Sequence, residues 1–397
     1  MASLSLRPQA CPEQGRGAAF NLVKLGVLAL ISVALAGCVS RTRPVAPPAP
    51  PPREEAPSRL PPGETHNRVA VLVPLTGPNS ALGRSILNSA NLALLDMGGQ
   101  RIRITAYDTA AGALPAANSA LAEGNGLILG PLLAEDVRAV AGVARQARVP
   151  VIAFSNDVSV AGEGVYLMGF NPAQSIERVV SFARAGGARS FGGLVPANTY
   201  GERAGLAMTQ AVQGERGRLI GIETFDASPA GARAAGTRLA ARGAADAVLV
   251  ADVPRTVASA VPVLRQASPQ ARLLATERWA AEGEIGANAA LRGAWFAAPS
   301  DANFGPFRTR YRARYNAAPF RLSTLGYDAV LLVIRAAANW PLGRDFPERA
   351  LRDPGGFSGV DGAFRFGRDG VAERALEVRE VNATGTSVVS PAPRGFN

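Results

Sequence analysis

The sequence predicts an α/β protein of two lobes, each a mostly parallel sheet flanked by helices. Three observations lead there. Short apolar runs rich in β-branched residues alternate with helical stretches of about 12–15 residues, the rhythm of right-handed strand–helix–strand crossovers. That rhythm stops at Gly186-Gly187 and begins again. With 397 residues, 47% of them hydrophobic, the chain can bury more than one core.

Residues 68–74 (RVAVLVP) form a strand ended by proline. Apolar residues at 86, 90, 93, 94 and 97 then keep helical spacing, and Gly98-Gly99 stops that helix. Strands follow at 101–107, 126–130, 149–154 and 165–170, with helices at 113–123 and 133–147 between them. Asn171-Pro172-Ala173-Gln174 opens a helix to 185, with Asn as N-cap, Pro in the first turn and Gln behind it. The second half repeats the pattern. Its strands fall at 190–195, 218–224, 245–251, 272–275 and 293–297, and its helices at 201–213, 230–241, 256–266 and 304–315. Residues 325–340 are apolar on most helical faces, which predicts burial between other elements. Residues 355–370 alternate turns with short strands, and 371–381 closes this antiparallel appendix.

The N-terminus reads as an address. Arg7, Arg16 and Lys24 precede an apolar run from Leu25 to Ala36, too short to span about 30 Å of hydrocarbon but suited to a secretory signal. Leu35-Ala36-Gly37-Cys38 resembles the lipobox of bacterial lipoproteins, which implies cleavage before Cys38 and lipidation of its thiol. Val39, where an Asp commonly retains such proteins at the inner membrane, favours the outer membrane. Residues 41–65 are proline-rich and aperiodic, a semi-rigid spacer. The expected division is therefore a signal over 1–37, a lipidated tether over 38–67, a first lobe over 68–187 and 304–340, and a second lobe over 188–303 and 341–390.

Composition narrows the chemistry. The 42 Lys and Arg against 31 Asp and Glu give a net charge of +11, and Lys24 is the sole lysine. His66 is the only histidine and lies at the end of the spacer, while Cys11 and Cys38 are the only cysteines. Ser-His-Asp and Cys-His machinery and a His-rich zinc site are excluded unless His66 takes part. There is no GxSxG, HExxH or GxxxxGK[ST]. An enzyme is not expected, nor is a cofactor or a metal. The arginines are dispersed rather than clustered with aromatics, so nucleic acid is not an expected partner either.

Several segments carry a family resemblance: Val71–Pro78 with Gly83, Leu127–Leu132, Val149–Ser155, Asn198–Gly201, Leu325–Ala329 and the Phe357–Phe366 hairpin. Together, over about residues 68–385, they resemble type I periplasmic binding proteins of the leucine/isoleucine/valine-binding class. With the lipobox and the spacer, the chain is most similar to the penicillin-binding protein activator lipoproteins, themselves similar to the C-terminal half of LpoA. That resemblance implies a non-catalytic, lipid-anchored protein on the periplasmic face that stimulates a peptidoglycan synthase. The alternative is the substrate-binding lipoprotein of an ABC importer, with a permease as partner and an amino acid or related small solute as ligand. LpoA also carries a helical N-terminal domain, for which the roughly 30 linker residues here leave no counterpart ahead of the expected fold.

The resemblance also points to a cleft where strand ends converge. Carried over by position, the first-lobe loop is Pro131, Leu132 and Leu133, where amino-acid binders have serines. The second loop is Phe154, Ser155, Asn156 and Asp157, with Asp157 where a Thr usually stands. Tyr200 matches the second-lobe aromatic and Glu277 the carboxylate that meets a ligand ammonium, with Asp252 at a neighbouring strand end. An Asp157 side chain facing the ligand would repel its carboxylate unless it points elsewhere or meets a cation. Asp157 and Asp252 equally suit turn or helix caps, Tyr200 suits lobe packing, and Glu277 suits a pair with Arg278. Trp279 and Trp295 read as core or rim residues rather than recognition groups, and the Tyr327-Asp328 pair as structural.

Overall fold

The computed structural model describes residues 58–99 and 101–396. The expected signal, Cys38 and the tether up to residue 57 lie outside these residues. Five strands, β1 (Asn67–Val73), β2 (Ile102–Asp108), β3 (Leu127–Leu129), β4 (Val151–Ala153) and β5 (Val165–Leu167), form one sheet in the order β2-β1-β3-β4-β5. Every pairing in it is parallel. The reason is legible in β1. Val69, Val71 and Val73 enter one core while Ala70 and Leu72 enter another, so both faces of the strand are covered and no polar alternation is tolerated.

Seven strands, β6 (Ser190–Pro196), β7 (Arg218–Phe225), β8 (Ala247–Val250), β9 (Arg272–Ala275), β10 (Trp295–Ala298), β14 (Glu377–Asn382) and β15 (Gly385–Ser390), form a second sheet in the order β15-β14-β10-β9-β8-β6-β7. From β7 to β10 the pairs are parallel; β14 and β15 add antiparallel strands at the edge. Val248 and Val250 of β8 face one core, Ala247 and Leu249 the other. A small antiparallel sheet, β11 (Phe357–Gly359), β12 (Gly362–Phe366) and β13 (Ala372–Arg374), matches the expected hairpins.

The helix Thr324–Ala337 buries eleven of its 14 residues, as its all-round apolarity predicts. Asn171 caps the helix Pro172–Ala185 by accepting from the backbone N–H of Ala173. The continuous helix expected over 256–266 is instead three short pieces, Pro254–Val257, Ala258–Ala260 and Val261–Ala267. Pro262 removes one of the N–H donors a longer helix would need.

Both lobes share one device at the mouth of the fold. Gly83 and Gly201 sit in the first turn of the helix after β1 and after β6. A Cβ on Gly83 would fall 1.8 Å from the Pro74 carbonyl oxygen, and one on Gly201 1.7 Å from that of Pro196. Only glycine lets these helices start directly against the strand end.

The expected lobe limits shift at two places. Ile176, Val179, Val180 and Ala183 of the helix Pro172–Ala185 pack with β6 and β8, in the second lobe. Phe357, Val360, Phe364, Phe366 and Ala372 pack in the first-lobe core. Apolar faces bury against whichever sheet completes them, and sequence order does not dictate which. The chain therefore passes between lobes near 168–172, 299–304 and 374–377. Among the described residues no helix is long and apolar enough to cross a membrane.

Candidate ligand cleft

The C-terminal ends of β3 and β4 on one side, and of β6, β8 and β9 on the other, face a cavity of about 630 Å³. Leu132, Leu133, Phe154 and Asn156 line it from the first lobe, Tyr200 and Glu277 from the second. The structure thus brings six of the sequence-derived residues to one cavity. Leu82, Phe170 and Leu322 extend the apolar wall, and Arg278, Glu282 and Arg321 also reach it.

The other four residues serve the walls. Pro131 is buried after a cis peptide bond, and its carbonyl accepts from the Phe154 N–H at 2.9 Å. Ser155 is buried, its Oγ accepting from the Asp157 N–H at 3.1 Å. Asp157 caps the turn Val158–Val160 through the Ser159 N–H. Asp252 accepts from the Val253 N–H at 2.7 Å and pairs with Arg278 at 3.1 Å. Asp157 meets cations, the condition under which no repulsion of a ligand carboxylate is expected. Arg138 lies 2.9 Å from one of its oxygens and Arg203 2.7 Å from the other. Burial pushes its carboxyl up, but the hydrogen bonds from Ser159 and the Arg203 guanidinium prevail and hold it at about 2.

Arg203 belongs to the second-lobe helix Thr199–Gly214 and Asp157 to the first lobe, so this pair spans the cleft. Its exposed side limits its strength to about 1 kcal/mol, which is still enough to bias a two-state closure. Arg203→Ala should widen the unliganded protein in solution. A larger radius of gyration by small-angle scattering is the expected reading, and an unchanged radius would show that the pair does not hold the lobes.

On the second-lobe wall the Tyr200 Oη lies 2.8 Å from the Thr276 Oγ1 and 3.1 Å from the Glu277 Oε1. Its single proton serves one of them at a time. Glu277 Oε2 is buried with no hydrogen-bond partner. Burial pushes the Glu277 carboxyl up to about 7 against the opposing pull of its own backbone N–H, Tyr200 and Arg278. Burial and the Glu277 charge raise the Tyr200 phenol well above its ordinary value. The Arg278 guanidinium lies over the Tyr200 ring, 4.9 Å from its centre. Trp279 and Asp328 lie in the core, and Trp295 is half-buried, its ring meeting Phe182 edge-on and its Nε1–H donating to Glu380. Sequence reading missed Arg278 as a cleft residue and missed Arg321 entirely; the only available signal for Arg278 was its place beside Glu277. Among the described residues no cluster of three or more His, Cys, Asp or Glu could hold a metal ion.

The profile of the family described as periplasmic binding protein matches residues 67–386. Among solved structures, a leucine-binding protein of Thermotoga maritima is 20% identical with a TM-score of 0.61, over 82% of this chain and 98% of that one. Full-length LpoA of Haemophilus influenzae is 20% identical with a TM-score of 0.64, over 82% of this chain but 59% of that one. At such identity the likeness is one of fold. An uncharacterized protein of Rickettsia prowazekii is 22% identical over 163 residues, which is 41% of this chain and 44% of that protein. The match thus spans less than half of that relative's length.

Proposed function

Because this chain belongs to the periplasmic binding protein family, we propose that it is a non-catalytic, lipid-anchored periplasmic protein that regulates a peptidoglycan synthase, a penicillin-binding protein. The observation that carries this reading is the first-lobe wall of the cleft. Leu132, Leu133 and Phe154 line that side of the cavity, and by the resemblance Leu132 and Leu133 belong to the loop where amino-acid binders have serines. A carboxylate laid against these apolar side chains gains no donor from them. A fold kept while its amino-acid grip is gone suits a scaffold for a protein partner. The LpoA-like fold, Cys38 and the spacer support the same reading, with the anchor in the outer membrane.

The test is glycan-strand synthesis by a purified bifunctional synthase, with and without the protein. A several-fold rise in rate is expected. No rise, together with stimulation of a permease ATPase, would overturn the proposal. The second reading, an importer's binding component, is favoured by the Tyr200–Glu277 pair and its unpartnered oxygen. Under that reading a free amino acid should raise the melting temperature strongly, since ligand bound only to the folded state stabilises it by mass action.

A further inference from the structure

Along the chain the arginines are dispersed, but the fold gathers five of them on one outer surface of the first lobe. The helix Phe304–Tyr315 carries Arg308, Arg310, Arg312 and Arg314 and no acidic residue. It lies against the helix Ser80–Asp96, where the Tyr315 hydroxyl donates to the Asn88 carbonyl at 2.8 Å and Arg310 pairs with Asp96 at 3.1 Å. Arg84 adds a fifth guanidinium from the exposed side of that second helix. Asp96 is the only carboxylate on these two helices or on residues 316–322 that follow. Arg84, Arg308, Arg312 and Arg314 are exposed, and none has an ion pair with a described residue. The same surface also leaves apolar groups in water. Of the ten large hydrophobic side chains that are exposed among the described residues, four belong to it. Leu95 and Met97 stand at the end of one helix, Phe320 and Leu322 in the loop after the other. Phe320 is held in place there, its N–H donating to the Ser85 Oγ at 3.3 Å.

We propose that this surface docks on an anionic lipid bilayer, its guanidinium groups among the headgroup phosphates and its four apolar side chains at the acyl boundary. A water-soluble polyanion would satisfy the arginines but leave Leu95, Met97 and Phe320 hydrated. A bilayer interface covers both kinds of group at once, which is why basic and large apolar side chains occur together where proteins lie on membranes. Each basic residue held near such a surface is worth about fivefold in partition, and the attraction fades within a Debye length. Leu322 also lines the cleft, so docking would hold the rim of the cleft at the membrane. The inference deepens the anchored reading given above and rests on the chain being held at a membrane.

The test places an environment-sensitive fluorophore on Ala313→Cys, an exposed position of the helix Phe304–Tyr315, in the full chain. The wild-type chain labelled in parallel gives the background from Cys11 and Cys38. The labelled chain is placed on vesicles of phosphatidylcholine alone or with about 30 mol% phosphatidylglycerol. Emission should shift to the blue on the anionic vesicles only, and return in about 0.5 M salt, where screening is strong. Arg308→Glu combined with Arg312→Glu should abolish the shift with circular dichroism unchanged, since both side chains are exposed. The same shift on neutral vesicles, no shift on anionic ones, or an undiminished shift in the double charge reversal would each overturn the inference. So would an equal shift from a fluorophore on Thr237→Cys, an exposed position of the second lobe. Retention of the chain on neutral vesicles reads the anchor, whereas the fluorophore reads the surface, so the two proposals fail separately.

Discussion

Glu277→Gln should leave the unliganded protein more stable than the wild type at pH 8, by up to about 3 kcal/mol. The carboxyl is pushed up to about 7 by burial, from an ordinary value of 4.5. Between those two pH values the folded chain keeps a proton that the unfolded chain has released. Stability from this group therefore falls as pH rises from about 4.5 through 7, and stays at its lower value above. Above pH 7 the folded state must hold a charged oxygen with no hydrogen-bond partner, beside the Tyr200 hydroxyl, Thr276 and Arg278. Gln keeps the shape and removes the titration. Other groups raised by burial, such as Asp328, contribute alike to both proteins and cancel in the difference. Urea midpoints at pH 5 and pH 8 check this: the wild type should lose stability across the interval and the variant should lose much less. Parallel profiles would mean that water or a rotated side chain already solvates the carboxylate.

The fold was legible because its signals are local. The alternation of β1 between two cores, the Asn171-Pro172 start and the buried run after Leu325 each lie within one stretch of chain. The apolar first-lobe wall was legible too, since Leu132 and Leu133 differ in kind from serines. What depended on pairing at a distance was not. Asp157 reads as an intruder in a ligand loop until Arg138 and Arg203 are seen beside it, 19 and 46 positions away in the chain. Asp252 reads as a second ligand carboxylate until Arg278 neutralises it. The lobe to which the helix Pro172–Ala185 belongs is set by the apolar face it completes, not by its place before Gly186-Gly187. Arg321 gave no signal, because its partner Asp361 lies 40 residues on, in a hairpin that the second lobe was expected to hold.

Arg321→Ala should cost about 3–5 kcal/mol, the range for removing one partner of a buried ion pair. Asp361 is fully buried; Arg321 donates to one of its oxygens and the Thr324 hydroxyl to the other, at 2.6 Å. Beside it lies a second fully buried carboxyl, Asp328, which accepts from the backbone N–H groups of Val360 at 2.7 Å and Asp361 at 3.3 Å. Burial pushes the Asp328 carboxyl up, and the Asp361 charge pushes it further. Without Arg321 only the Arg374 guanidinium opposes these two charges, so the site must take up protons or open. The damage should reach beyond the hairpin. Asp301, in the segment passing between lobes, is shared by Arg321 and by Arg379 of β14. A denaturation midpoint measured on the single variant reads the first effect, and a loss under about 1 kcal/mol would show that the pair is not what holds the hairpin. The double variant Arg321→Met with Asp361→Asn separates charge from packing. Removing both charges together should recover most of the loss, because an ion pair replaced by groups of similar volume need not destabilise, whereas a stranded charge does. If the double variant is as unstable as the single one, the guanidinium acts through its stacking on Phe304, and the ionic account of this junction between the lobes fails.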